Sequence, residues 1–188
     1  MAVNMKAKDI MAGKTPSVDF TGFSTADDYV FAIDVADGGT SNVEDYIVGQ
    51  LGVKGFERSL NPETQTDTYL RAGSSTVKTG TQATFSVTSD RYIGDPFQDF
   101  CLSEKIKYGT GQVVIVPYVY FNLLTGLGEI GQVSIMVDND GSGDAGEKAE
   151  VSINFEKVGE LPKAFNWATD KAKDYATIIK PAGAGIGG

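Results

Sequence analysis

The densest run of oxygen-bearing side chains is DNDGSGDAGE, residues 138 to 147. Asp138, Asp140, Ser142 and Asp144 fall at alternate positions, and Gly143 sits where a helix–loop–helix calcium site makes its sharp turn. The twelfth position of such a loop would be Ala149, which offers no bidentate carboxylate, and the flanking segments alternate like strands. Asp, Asn and Gly are also what an exposed hairpin tip selects, so the run is read as a tip and no metal site is assigned. The pairs Asp27/Asp28 and Glu44/Asp45 lie in turn-like segments with no apolar pocket to raise a carboxyl pKa, and are read as solvated turn charges. Cys101 recurs with Phe97 and Phe100 at helical spacing and has no base nearby, which makes it a packed thiol. The chain has no histidine, which removes the commonest general base, the commonest zinc ligand and the Ser/His and Cys/His nucleophile pairs. The glycine runs GTGQ and GAGIGG lack the strand-to-helix setting and the lysine of a phosphate cradle. No catalytic residue, cofactor or enzymatic activity is therefore assigned. Trp167 with Phe165 and Tyr175 could form a carbohydrate platform, but aromatics that anchor an arm on a partner's core are the commoner use.

The elements that would hold these groups read as mainly β. At 188 residues with 41% hydrophobic content, the chain can build one domain with a proper core and long arms. No apolar run approaches the roughly 18 residues that span a bilayer, and MAVNMKAKDIMAGKTPSVDF lacks the continuous apolar centre of a secretory signal. The expected place of synthesis is the cytoplasm. The net charge of −9 suits solubility, or a surface that repels phosphate, because gripping nucleic acid requires Lys and Arg.

Along the chain, residues 1 to 28 are irregular and read as an N-terminal arm. A short apolar strand, YVFAIDV (29–35), is followed by YIVGQLGVKGF (46–56), a strand interrupted by glycines that suggest bulges. QATFSVTSDRY (82–92) alternates, with Ala83, Phe85 and Val87 on one side. A helix over about 96–107 is predicted from Asp95 as N-cap, Pro96 at the first turn and Gln98 completing a capping box. QVVIVPYVYFN (112–122) reads as a strand covered on both faces, although Pro117 argues for an edge or a bulge. GQVSIMVD (131–138) and AEVSINFEKV (149–158) alternate and form a hairpin around the 138–147 tip. Residues 161 to 188 are a C-terminal arm, helical or extended, with a flexible tail PAGAGIGG. These elements predict a β-sandwich or barrel with one flanking helix, a domain over 29–160, and a long hairpin loop over 57–80. That loop, which contains SLNPETQTDTYLRAGSSTVKTG, is far longer than the roughly 2 to 5 residues a hairpin connection needs.

The order YIVGQLGVKGFERSLNPETQTDTYL, TFSVTSDRYIGDPFQDF and EVSINFEKVGEL, together with size and acidity, resembles the tail tube proteins of long-tailed bacteriophages over residues 29 to 160. The extended NDGSGDAGE tip has no counterpart in that pattern. The resemblance implies subunits in hexameric rings that stack into a hollow tail tube through which phage DNA passes without sequence-specific binding. It implies further partners at the tube's ends and inside it: tape measure, tail terminator, baseplate or distal tail, and chaperone proteins. It also implies a place in the virion tail, assembled in the host cytoplasm, with no membrane embedding. Alternation puts Gln82, Thr84, Ser86, Thr88, Gln132, Ser134, Glu150, Ser152, Asn154 and Glu156 on wet strand faces, and a tube would turn those faces to its lumen. None of these positions is basic. The long loop, with Arg58, Leu60, Asn61, Thr64, Thr66, Tyr69, Arg71 and Lys78, is expected to reach a neighbouring subunit or the next ring. The alternatives are a carbohydrate-binding or adhesin sandwich built on the aromatic patch, and a metal-dependent enzyme using the 138–147 carboxylates.

Overall fold

The computed structural model describes residues 5 to 180. The tail PAGAGIGG (181–188), read from sequence as flexible, lies outside the described residues. Nine strands follow in order: β1 (Tyr29–Ile33), β2 (Ile47–Val48), β3 (Val53–Ser59), β4 (Pro62–Tyr69), β5 (Gly73–Thr81), β6 (Thr84–Asp90), β7 (Ile115–Asn122), β8 (Leu127–Ser142) and β9 (Glu150–Asn166). Seven of them form one antiparallel sheet in the order β2-β1-β7-β8-β9-β6-β3, and β4 pairs only with β5.

Chain connectivity forces this sheet to curl. Its edge strands β2 and β3 are joined by residues 49–52 alone. Such a link reaches roughly 17 Å, whereas six strand spacings in a flat sheet would span roughly 29 Å. The edges therefore come round to face each other, and the sheet is a half-barrel. Across the seam the Phe31 and Phe56 rings lie 5.7 Å apart. Gly52 makes the tight crossing possible: its φ is +73°, and a Cβ there would sit 2.5 Å from the Asp90 carbonyl oxygen.

The concave side holds one core, in which Phe31, Phe85, Tyr118, Ile135, Ile153 and Phe155 meet. It is plugged by α2 (Pro96–Cys101) and α3 (Glu104–Lys107) through Phe97, Cys101 and Ile106. The convex side is covered at one end only. There α1 (Ala7–Met11), α4 (Trp167–Asp170) and α5 (Tyr175–Ile179) bring Met11, Trp167 and Ile178 onto Val119, Phe121 and Ile130.

Several local expectations are revised. The 46–56 segment is two strands on opposite edges, not one bulged strand. The 96–107 helix breaks at Leu102 and restarts after Ser103. The Asp95 side chain does accept from the Gln98 amide nitrogen, at 3.3 Å, but the Gln98 side chain does not complete a capping box. Instead it is buried, donating to the carbonyls of Leu51 (2.8 Å) and Asp90 (3.1 Å) and accepting from the Tyr92 amide (2.9 Å). That ties the α2 plug to the crossing loop and to the end of β6. Pro117 lies in an interior strand, not at an edge. Its carbonyl accepts from the Asp34 amide just past the end of β1, so its missing N–H falls where the β1 ladder has already stopped. β9 continues through Pro162 to Asn166, because the residues between Val158 and Lys163 bulge out of the pairing with β8.

Candidate functional site: a bare polar face and a free hairpin

The convex side of the half-barrel is uncovered where β3, β6 and the first half of β9 run beside the second half of β8. Antiparallel partners point to the same face, so register alone assembles the polar residues into rows. Ser59, Thr84, Glu156 and Ser134 form one row; Glu57, Ser86, Asn154 and Met136 the next; Gly55, Thr88 and Ser152 a third. Opposite each row the intervening residues Phe85, Val87, Val151, Ile153 and Phe155 are buried in the concave core. Within the face, the Ser86 hydroxyl donates to the Asn154 side-chain oxygen, and the Asn154 amide donates to Asp138. These contacts link β6, β9 and β8 across the face.

Thr84, Ser86, Thr88, Ser134, Ser152, Asn154 and Glu156 thus share one surface. Glu150 pairs with Asp90 at its rim. Gln82 sits just before β6, its amide donating to the Lys157 carbonyl at 3.0 Å, and Gln132 opposes Val158 beside the β9 bulge. No basic residue stands in the three rows. Two cations, Lys54 and Lys148, stand at the rim, where both pair with Asp90 and hold its carboxyl below the usual range.

The 57–80 segment is not a loop without structure. Residues 53–59 complete β3, and β4 and β5 form a separate hairpin whose residues are exposed from Leu60 to Thr79. Its cross-strand bonds are its own: Thr66 meets Thr76 at 2.9 Å and Thr68 meets Ser74 at 3.2 Å. Asn61 fastens the base, donating to the Gln82 carbonyl at 3.1 Å and the Thr84 hydroxyl at 3.0 Å. Thr64, Thr66, Tyr69, Arg71 and Lys78 lie out on the hairpin, and Leu70 at the turn is 97% exposed.

Arg58 belongs to a different structure. Its guanidinium lies over the Tyr120 ring at 4.9 Å and pairs with Glu129 at 2.6 Å, while Glu129 also accepts from the Tyr118 hydroxyl at 2.9 Å. This chain of contacts runs from edge strand β3 to β7 and β8, closing one end of the half-barrel with side chains where no strand ladder exists. Arg58 is therefore held within the body of its own chain and is not carried out on the hairpin. Sequence reasoning had no signal for it, because the partner lies 71 residues away. At the base beside it, Leu60, Lys157, Leu161 and Pro162 line a cleft of about 280 Å³.

The calcium-like run is committed elsewhere. Asp140 pairs with Lys107 at 2.8 Å, which lowers its pKa, and Asp138 accepts from Asn154. Asn139 accepts from the Gly141 and Ser142 amides. Among the described residues no group of three or more Asp, Glu, Cys or His side chains could hold a metal ion. The aromatic patch is no platform, since Phe165 is buried and Trp167 is only 6% exposed, its ring stacked on Phe121 at 5.2 Å. These aromatics cover the chain's own core. The Cys101 thiol is buried, and burial pushes its pKa up, so it is inert. Among the described residues no helix is long and apolar enough to cross a membrane.

No family model matches the chain, and no curated protein matches it. Its fold, however, is found in solved structures of gene transfer agent particles. One is a chain in the virion of a native gene transfer agent particle, at 14% identity and a TM-score of 0.50, covering 74% of this chain and 97% of that one. Another is a chain in the tail of an empty gene transfer agent particle, refined with six-fold (C6) helical symmetry, at 18% identity with the same TM-score and coverage. At these identities the likeness is one of fold.

Proposed function

We propose that this chain is the structural subunit of a phage-tail-like tube: copies close into hexameric rings, the rings stack, and DNA passes down the bore. The observation that carries this reading is the division of the convex face, which is apolar and covered at one end, polar, bare and free of cations at the other. A bore wall needs that composition, because side chains that cannot pair with phosphate leave a passing duplex unheld. The fold's presence in a C6-symmetric particle tail supports the ring. The free edge of β3 and the self-contained β4–β5 hairpin supply the unpaired backbone and the reach that ring closure and stacking require. In this reading Gln82, Thr84, Ser86, Thr88, Gln132, Ser134, Glu150, Ser152, Asn154 and Glu156 line or border the lumen. Thr64, Thr66, Tyr69, Arg71 and Lys78 contact the next subunit or ring. Partners at the tube's ends, and its place in a virion tail, follow from the same reading.

The test is electron microscopy of the purified chain at rising concentration, alone and with tail-initiating components. Rings or tubes of uniform diameter with six-fold end views are expected. A species that stays monomeric under all of these conditions overturns the reading.

A further inference from the structure

The hairpin and the 138–147 tip sit at opposite ends of the same strand. β6 begins at Thr84, directly after the hairpin, and ends at Asp90, beside the other tip. At that far end the loop after β6 lies against the loop before β9: the Arg91 amide donates to the Ala149 carbonyl at 2.7 Å, and Asp90 pairs with Glu150 across the ladder. The two loops together present an exposed apolar pair, Tyr92 and Ile93 (85% exposed), next to a strongly acidic segment. Residues 138 to 150 hold five carboxylates against one lysine, and neither Asp144 nor Glu147 has an ion-pair partner among the described residues.

The hairpin turn is the complement. It carries exposed Tyr69 and Leu70 and a single charge, Arg71, which pairs with nothing among the described residues. Nine of the 16 Lys and Arg side chains, among them Lys54, Arg58, Arg91 and Lys107, are held by carboxylates of their own chain, and Arg71 is not. An apolar tip with one free cation at one end of the molecule matches an apolar ledge with free carboxylates at the other. Complementary surfaces at opposite ends generate an open, repeating head-to-tail contact and not a closed pair.

We infer that the occupant of the Tyr92/Ile93 and Asp144/Glu147 surface is the Tyr69–Leu70–Arg71 hairpin turn of a second copy, in the next ring. This rests on the tube reading and specifies its stacking contact: Leu70 covers Ile93 and Tyr92, and Arg71 faces the 144–147 carboxylates.

A charge swap tests it. Arg71→Glu and the double variant Asp144→Lys/Glu147→Lys are made separately in the full chain. Circular dichroism checks that both keep the wild-type fold. Each alone should assemble tubes only at about tenfold or higher protein concentration, since like charges meet at every interface. Mixed in equal amounts, they should regain wild-type assembly, because each tip then finds a receiver of opposite sign. If mixing restores nothing while deletion of the hairpin still abolishes stacking, the receiving surface is elsewhere and this inference is overturned. If deletion of the hairpin leaves stacked tubes intact, the stacking role given to the hairpin in the tube reading falls with it. A wild-type chain that never forms tubes overturns the tube reading itself.

Discussion

The molecule contains two long hairpins, and they have opposite fates. In the middle of β8–β9 every second residue is apolar and buried: Val133 and Ile135 on one strand, Val151, Ile153 and Phe155 on the other. In β4–β5 the sequences PETQTDTY and GSSTVKTGT contain no such face, and nearly every residue is exposed. Backbone pairing is no more regular in β8–β9, which has three register shifts, than in β4–β5, which has one, so hydrogen bonding does not decide which one becomes the spine of the domain. The alternating apolar face does, at about 25 cal/mol for each Å² it removes from water. A lone two-stranded hairpin is marginal in water. Within its own chain the β4–β5 hairpin has no apolar cover.

The largest predicted effect comes from damaging the first hairpin. Phe155 is fully buried, with ring centroids 5.0 Å from Phe31 and 5.8 Å from Phe97, so it joins the β9 spine, the seam strand β1 and the α2 plug. Phe155→Ala should cost roughly 3–5 kcal/mol, read as a fall in the denaturant midpoint. A loss below about 1 kcal/mol would mean that the β8–β9 face is not what holds the domain.

Removing the second hairpin should have almost the opposite outcome. The Gln82 amide already donates to the Asn61 carbonyl at 3.3 Å, so residues 62 to 81 can be replaced by an Asn-Gly turn without moving the base. The shortened chain should unfold within about 1 kcal/mol of the parent and lose ring stacking. In the intact subunit before assembly, the β4–β5 amides should exchange with solvent far faster than those of β8 and β9. Protection of both hairpins to the same degree would erase the contrast drawn between them.

How much of this could be read in the sequence follows the same divide. Strands with one buried and one bare face announce themselves by alternation, which is why 82–92, 131–138 and 149–158 were legible along with the polar residues that share the convex surface. The apolar runs 29–35 and 112–122 were legible too, as the largely buried β1 and β7, but interrupted segments were not. β9 beyond Val158 is hidden by its bulge and Pro162, and β2 and β3 read as one strand because only the curl of the sheet separates them to opposite edges. The hairpin was legible as a long polar insertion but not as strands, since its Thr and Ser ladder pairs within itself and has no periodic apolar signal. Arg58 belongs with that insertion only by proximity in sequence. Its attachment to Glu129 and Tyr120 depends on the barrel closing, a non-local event that no window of residues contains.

The smallest effect on stability should accompany a specific effect on function, and it concerns the bare face that β9 shares with β6. Glu156 stands between Thr84 and Ser134 in its row, and Glu150 at the rim opposite Asp90. Both are exposed and neither has an ion-pair partner among the described residues, so Glu150→Lys/Glu156→Lys leaves no buried group unsatisfied. Surface changes of this kind usually stay within about 0.5 kcal/mol each, and ring assembly should survive. If the face is the bore, however, every ring gains cations pointing at the passing duplex. The logarithm of DNA affinity should then fall with the logarithm of salt by roughly 0.9 for each phosphate contacted. Purified tubes of the variant should retain double-stranded DNA at low salt and release it at high salt, while the parent retains it at neither. Glu150 starts beside Lys54 and Lys148, so its reversal alone should matter less than that of Glu156, which has no cation in its row. Free passage of DNA through doubly substituted tubes would place the polar rows on the outside of the wall, and the wet face would then have to be explained by solvent alone.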